Sequence, residues 1–256
     1  MDIRSYNRNA WNRQVEGNTN PWTQPVSPEV IARARQGDWS VVLTENIPVP
    51  SAWFPPLSGA DVLCLASGGG QQGPVLAAAG ARVTVFDNSP RQLAQDQLVA
   101  EREGLDIRLV EGDAADLSVF ADESFDLVFN PCSTVFMAGV RAVWREAARV
   151  LRRGGVLMTG SMNPLFYMFD LTKMDAGILE VAHSIPYADV KDLSREELDR
   201  MIAGNLPLEF GHSLTDLLGG QLDAGLVITG MYEDYKSDSP LAKYHPAYLA
   251  TRAVKK

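Results

Sequence analysis

Cysteine is scarce in this chain: Cys64 and Cys132 are the only two in 256 residues, and both stand in apolar, strand-like stretches. A disulfide framework is therefore not expected, and a reducing, cytoplasmic setting is. A chain of this length buries roughly three quarters of its unfolded surface and needs no cross-links to be stable. Histidine is almost as rare. His183, His212 and His245 lie far apart, and no Asp/Glu spacing resembles a binding loop, so no metal is expected. Basic charge is in deficit: the formal net charge is -9, and the densest basic spots, 149–153 and 255–256, are short. That argues against a nucleic-acid partner, whose phosphates would be repelled. Long apolar runs are missing too. The opening MDIRSYNRNAWNRQ has no signal-like core, and no membrane association is expected. Internal repeats and low-complexity tracts are also lacking.

What the chain does have is glycine in the right place. Residues 61–87, DVLCLASGGGQQGPVLAAAGARVTVFD, read as strand, glycine loop, helix, strand and acidic cap. Bare glycines let a ligand approach the backbone, and free N–H groups at a helix start receive negative charge. A carboxylate at Asp87 can accept hydrogen bonds from both hydroxyls of a ribose. An adenosine-containing cofactor follows.

Around this unit strands alternate with helices. Strands are expected at 61–66, 82–86, 106–111, 125–130 and 155–160, and helices at 71–79, 90–103 and 140–151. Such alternation implies crossover units and a mostly parallel sheet covered on both faces. Gly68, Asp87, Asp113 and Asn130 all fall just after strands, at the sheet edge where ligands bind. A helix at 213–224 and strands at 226–232 and 248–253 close the chain as an antiparallel pair.

Two regions break the rhythm. Residues 1–58 are rich in Pro, Asn and Trp; a helix follows Ser27, and IPVPSAWFPP reads as an extended connector. Residues 161–212 read as an insertion. The expected organisation is an N-terminal cap over 1–58 and a catalytic domain over 59–256 that carries a second cap at 161–212.

Gly68-Gly69-Gly70-Gln71-Gln72-Gly73 satisfies G-x-G-x-x-G with Asp87 at dinucleotide spacing, which alone keeps a nicotinamide oxidoreductase open. Tyr187 and Lys191 have the spacing of a hydride-transfer pair, but position 174, where an accessory serine belongs, is Met. The later segments decide differently. VLCLASGGG, VTVFDNS, VEGDAADL, FDLVFN, WREAARVLRRGGVL and HSLTDLLGGQLDAGLVITGMYED occur in the order and spacing of site elements. With them the chain resembles the class I S-adenosylmethionine-dependent methyltransferases of the small-molecule, UbiE-like group, over about 61–160 and 212–252.

The resemblance implies an α/β, Rossmann-like three-layer sandwich. Its seven-stranded sheet would run 3-2-1-4-5-7-6, with only strand 7 antiparallel. It implies S-adenosylmethionine as cofactor. Ala66, Ser67, Gly68 and Gly70 would run beneath it, Asp87 would hold the ribose, and Asn88 would border the adenine. Asp113 and the Ala114 N–H would bond the adenine, and the Asn130 carbonyl would face the methionine amino group. The chain departs from the family where Cys64 replaces an acidic residue and Ala66 a glycine. Those departures keep a non-catalytic cofactor-binding protein as the alternative. Asn130-Pro131-Cys132-Ser133 is similar to the Asn-Pro-Pro-Tyr motif of nucleic-acid amine methyltransferases, but lacks its aromatic platform.

Methyl transfer is an in-line displacement that needs alignment, and needs a base only when the acceptor carries its proton. His212 is the expected base, with Glu209 close by in sequence. Cys132 reads as a packing residue. Tyr6, Trp11 and Trp22 are candidates to wall a sulfonium, because aromatic faces attract cations. Phe166, Tyr167, Phe169 and Ile178 give the insertion an apolar character that suits an aromatic or lipophilic small-molecule acceptor.

Overall fold

In the computed structural model, which describes residues 1–256, the apolar runs of the central region become strands of one sheet. They are β1 (Asp61–Leu65), β2 (Arg82–Asp87), β3 (Ile107–Glu111), β4 (Phe125–Asn130), β5 (Leu151–Met162), β6 (Leu226–Asp234) and β7 (Tyr248–Lys255). Their spatial order is β3-β2-β1-β4-β5-β7-β6. The first five pair in parallel, and β7 runs antiparallel to both β5 and β6. Order and the single reversed strand are as the resemblance implied.

Side chains alternate across the sheet, and β1 shows it directly. Val62 and Cys64 enter one core layer; Leu63 and Leu65 enter the other. The helices are α1 (Ile3–Gly17), α2 (Pro28–Arg35), α3 (Gln72–Ala78), α4 (Pro90–Glu103), α5 (Arg141–Val150) and α6 (Arg195–Ala203). Residues of α2, α3 and α4 fill the first layer, and α5 fills the second. Start and stop signals fix α4: the Ser89 hydroxyl accepts the Gln92 N–H at 3.1 Å, Pro90 opens the helix and Gly104 ends it in the left-handed region.

Three local departures have physical causes. Helix α1 was not expected, because 3–17 has no apolar stripe and buries only Asn7 and Ala10. The connector at 47–56 is not fully extended. A 3-10 turn over Ser51–Trp53 lets Trp53 pack on Tyr232, ring centroids 5.3 Å apart. The helix expected at 213–224 is split into a π turn (Thr215–Gly219) and a short α turn (Gly220–Asp223). There the Trp144 indole N–H donates to the Asp216 carbonyl at 3.0 Å, and Gly220 leaves room for the ring.

Two segments cross the edge of the sheet where the parallel strands end. Residues 41–47 form a strap: the Cys132 N–H donates to the Leu43 carbonyl at 2.9 Å, and Gly160 lies directly beneath. Residues 161–212 hold short helical turns, α6, and a two-residue antiparallel pair, Tyr187–Ala188 with Phe210–Gly211.

Candidate active site

Strand β1 is followed by Ala66, whose φ of 46° puts a non-glycine residue in the left-handed region, a strain of roughly 1 kcal/mol. The strain turns the loop so that its amides face Asp87 at the end of β2. Asp87 Oδ2 accepts the Gly68 N–H at 2.9 Å, and Oδ1 accepts the Ser89 N–H at 2.8 Å. Burial raises the Asp87 carboxyl above its ordinary value, against the pull of these N–H groups. Each oxygen keeps a lone pair for a further donor. Gly68 must be glycine, since a Cβ would stand 2.7 Å from Gln92 Cβ. Ser67 Oγ and Gln92 Oε1, buried in the wall here, have no protein partner.

The loop opens into a cavity of about 650 Å³. Ala66, Ser67, Gly68, Asp87, Asn88, Asp113, Ala114 and Trp11 all line it. Helix α1 covers this end. Asn88 Nδ2 donates to the Arg4 carbonyl at 3.0 Å, and the Arg4 guanidinium lies 3.7 Å from Asp113. The Asn7 side chain donates to the Phe136 and Leu208 carbonyls, both at 2.9 Å, and accepts the Leu208 N–H at 2.8 Å. Trp11 meets Phe136 edge-on at 4.9 Å.

The far end is bounded by Cys132, Met162, Phe166, Tyr167 and Glu209. The Tyr167 hydroxyl donates to Glu209 Oε2 at 2.6 Å. Burial pushes the Glu209 carboxyl up to about 7, opposed by that hydroxyl.

The family described as Methyltransferase domain matches residues 63–159. An uncharacterized methyltransferase of Bacillus subtilis, YbaJ, is 52% identical over 251 residues, 98% of each chain. The crystal structure of an S-adenosylmethionine-dependent methyltransferase from Mesorhizobium loti superposes with a TM-score of 0.58 at 19% identity, covering 80% of this chain and 94% of that one. That likeness shows the fold. The chain belongs to the S-adenosylmethionine-dependent methyltransferases.

The site of this methyltransferase fits its cofactor on its own terms. Two orphaned polar atoms, a glycine cradle and a carboxylate with free lone pairs are what a polar nucleoside and amino-acid ligand would satisfy. Family membership removes the nicotinamide reading and makes the chain an enzyme, against the non-catalytic alternative. The Tyr187–Lys191 spacing is coincidental: the Tyr187 hydroxyl is spent on Asp189 at 2.8 Å, and Lys191 is exposed beside Asp192.

Asp96 does not replace the carboxylate missing at Cys64, because it does not line the cavity. Cys64 is buried in the core, while Asp96 of α4 reaches the glycine loop from behind. Asp96 Oδ2 accepts the Gly69 N–H at 3.0 Å, and its Oδ1 is buried without a partner. Burial raises the carboxyl to about 8, and neighbouring Asp87 adds to the rise.

Three expected site residues are elsewhere. Gly70 does not line the cavity; it is packed beneath the loop, where a Cβ would stand 2.8 Å from the Gln95 carbonyl. Asn130 is fully buried, its amide donating to the Leu65 carbonyl and Ser133 Oγ, both at 2.8 Å, and accepting from Thr159 at 2.9 Å. It ties the ends of β1, β4 and β5 together, and its neighbours Pro131, Cys132 and Ser133 face the cavity. His212 also stands outside the lining. Its Nε2 is 3.0 Å from the Thr134 carbonyl, and burial holds it below its usual value. The cause is strand alternation across Phe210–Gly211. Glu209 faces the cavity, whereas His212 shares the opposite side with Phe210, their rings stacked at 6.4 Å. Of the aromatics, Trp11 and Trp22 line the cavity, while the Tyr6 hydroxyl bonds the Leu206 carbonyl at 3.0 Å. Arg4, Asn7 and Gln92 carry no sequence signal as cavity groups, and Tyr167 and Glu209, each singled out by sequence, meet only in the folded chain.

Proposed function

We propose that this methyltransferase transfers the methyl group of S-adenosylmethionine to a small, largely apolar acceptor held at the Tyr167–Glu209 end of the cavity. The supporting observation is continuity: one cavity reaches from Asp87 to Glu209, covered by α1 and bordered by the 161–212 segment. In this reading Ala66, Ser67, Gly68, Asp87, Asn88, Asp113 and Ala114 hold the cofactor and Trp11 covers it. Bound cofactor supplies a methyl carbon on a sulfonium, a leaving group that needs no further activation.

The protein's part is alignment, exclusion of water and acceptance of the acceptor's proton. Glu209 is the group for the last task. With its carboxyl raised to about 7, it is partly ionised at neutral pH, and Tyr167 fixes its position. Phe166, Met162 and Val135 give the acceptor end an apolar wall suited to an aromatic or lipophilic body. A formal charge of -9 favours a small molecule over nucleic acid. No helix is long and apolar enough to cross a membrane; we read the chain as acting in the cytoplasm.

Calorimetric titration with S-adenosylmethionine, S-adenosylhomocysteine and NADH tests the cofactor half. Micromolar binding of the two sulfur ligands, weakened about 100-fold in Asp87→Ala, is the expected result. Equal binding by the variant would remove Asp87 from the site. The acceptor half is tested by a panel assay: methylation of small polar amines alone would overturn the lipophilic reading.

A further inference from the structure

The acceptor end contains a second tyrosine–glutamate pair built like the first. The Tyr248 hydroxyl donates to Glu45 Oε2 at 2.6 Å, the same distance as Tyr167 to Glu209, and all four residues line the cavity. Cys132 stands within the influence of both pairs. Burial first, then Glu209 and Glu45, push its thiol up to about 12.

The position of Glu45 is built. Buried Asp234 accepts the Thr44 hydroxyl at 2.8 Å and the backbone N–H groups of Asn46 at 2.7 Å and Ile47 at 3.2 Å. Leu43 is fixed to Cys132. The strap thus brings a carboxylate from the N-terminal segment to the ends of β4 and β5. β7 pairs Tyr248 opposite Met162 and so supplies its partner.

The chemistry offered to a ligand is one-sided. Each tyrosine spends its only O–H on its glutamate, so with Glu209 ionised only carboxylate and phenol oxygens remain, and they accept hydrogen bonds. The cations lining the cavity are already matched. Lys236 Nζ lies 2.6 Å from Asp238, and Arg4 sits at the other end between Asn88 and Asp113. An anionic headgroup at the acceptor end would meet two carboxylates in a partly dehydrated space, and the cation that acts on Glu209, Lys236, is already paired with Asp238. An N–H or O–H donor would meet acceptors on both sides.

Resting on the methyl-transfer reading above, we propose that Glu45–Tyr248 and Glu209–Tyr167 form a two-point acceptor subsite. It selects an apolar molecule whose headgroup donates hydrogen bonds, an amine or a hydroxyl, and rejects carboxylates and phosphates. Glu45 is a specificity-determining residue of that subsite.

The test uses three probes on one skeleton: phenylbutylamine, phenylbutanol and phenylbutanoate. Each is titrated into the full-length protein loaded with S-adenosylhomocysteine. The amine or the alcohol is expected to bind at least about 10-fold more tightly than the carboxylate. In Glu45→Gln and in Tyr248→Phe the gap should shrink to below about 3-fold, with S-adenosylhomocysteine affinity unchanged. The second variant keeps the ring, so loss of packing is separated from loss of the pair. Tighter binding of the amine assigns the headgroup as ammonium; tighter binding of the alcohol assigns it as hydroxyl. Carboxylate binding as tight as either, or no probe binding while S-adenosylhomocysteine binds, overturns the subsite alone. Failure of S-adenosylhomocysteine to bind overturns the site on which it rests.

Discussion

A Cβ on Gly160 would fall within the carbonyl group of Leu43, so the strap can cross β5 only because residue 160 is glycine. The same crossing fixes Cys132, through its N–H bond to Leu43, and points Glu45 at the cavity. Gly160→Ala should therefore lift the strap and lower stability by about 2–3 kcal/mol. Urea denaturation measures the loss. An unchanged midpoint would mean that the strap is not held against the strand in solution.

Glu209 should give the reaction its pH dependence. With its carboxyl raised to about 7, catalytic efficiency should climb as pH rises through neutrality. Glu209→Gln should be slower by roughly 100-fold or more and lose that inflection. The pH–rate profile of both proteins decides this, and a parent profile flat across neutrality would remove Glu209 from the role.

Asp96 should make stability pH-dependent. Its folded value of about 8 lies above the ordinary 3.8, so across that interval the folded chain keeps a proton that the unfolded chain has released. The contribution to stability is complete below the lower value and is lost as pH rises through the upper one. Asp96→Asn keeps an acceptor for the Gly69 N–H but cannot ionise. It should flatten the curve and be more stable than the parent at alkaline pH by several kcal/mol, on the order of the shift itself. Urea midpoints collected from mildly acidic to alkaline pH measure this, and parallel curves would show that Asp96 does not titrate as the geometry implies.

Asn7 should hold the cover over the cofactor end. Asn7→Ala removes three hydrogen bonds and leaves the Leu208 N–H and carbonyl without them. A stability loss of about 2–3 kcal/mol is expected, together with S-adenosylhomocysteine release faster by roughly 10-fold. Stopped-flow dissociation reads the second effect. Unchanged release with reduced stability would make α1 a structural element only.

The cofactor half of the site was legible because local signals carry it. The strand–glycine–helix–strand unit places Ser67, Gly68 and Asp87 within a stretch of chain, and apolar periodicity fixed β1 to β5 with small errors at their ends. The acceptor half was not, because its contacts are tertiary. Tyr248 and Glu45 are 203 residues apart and meet only through the strap and the β5–β7 register. Choosing His212 over Glu209 failed on strand alternation in a two-residue pair too short to leave a pattern. Helix α1 gave no periodic signal, since its stabilising partners are polar: Asn12 with Ser89 at 2.8 Å, and Asn7 with Leu208.

That polarity bears on how the chain is made. Asn7 can bond the Phe136 carbonyl earlier, but its two bonds to Leu208 must wait for a residue 201 positions later. At ribosomal rates the delay is roughly 10–40 s, during which the first helix stands in water beside a growing, unfinished sheet. A sequence with an apolar face would be sticky for all of that time. One rich in Arg and Asn stays soluble, and its last bonds, those to Leu208, close only when the segment that completes the enclosure has left the ribosome.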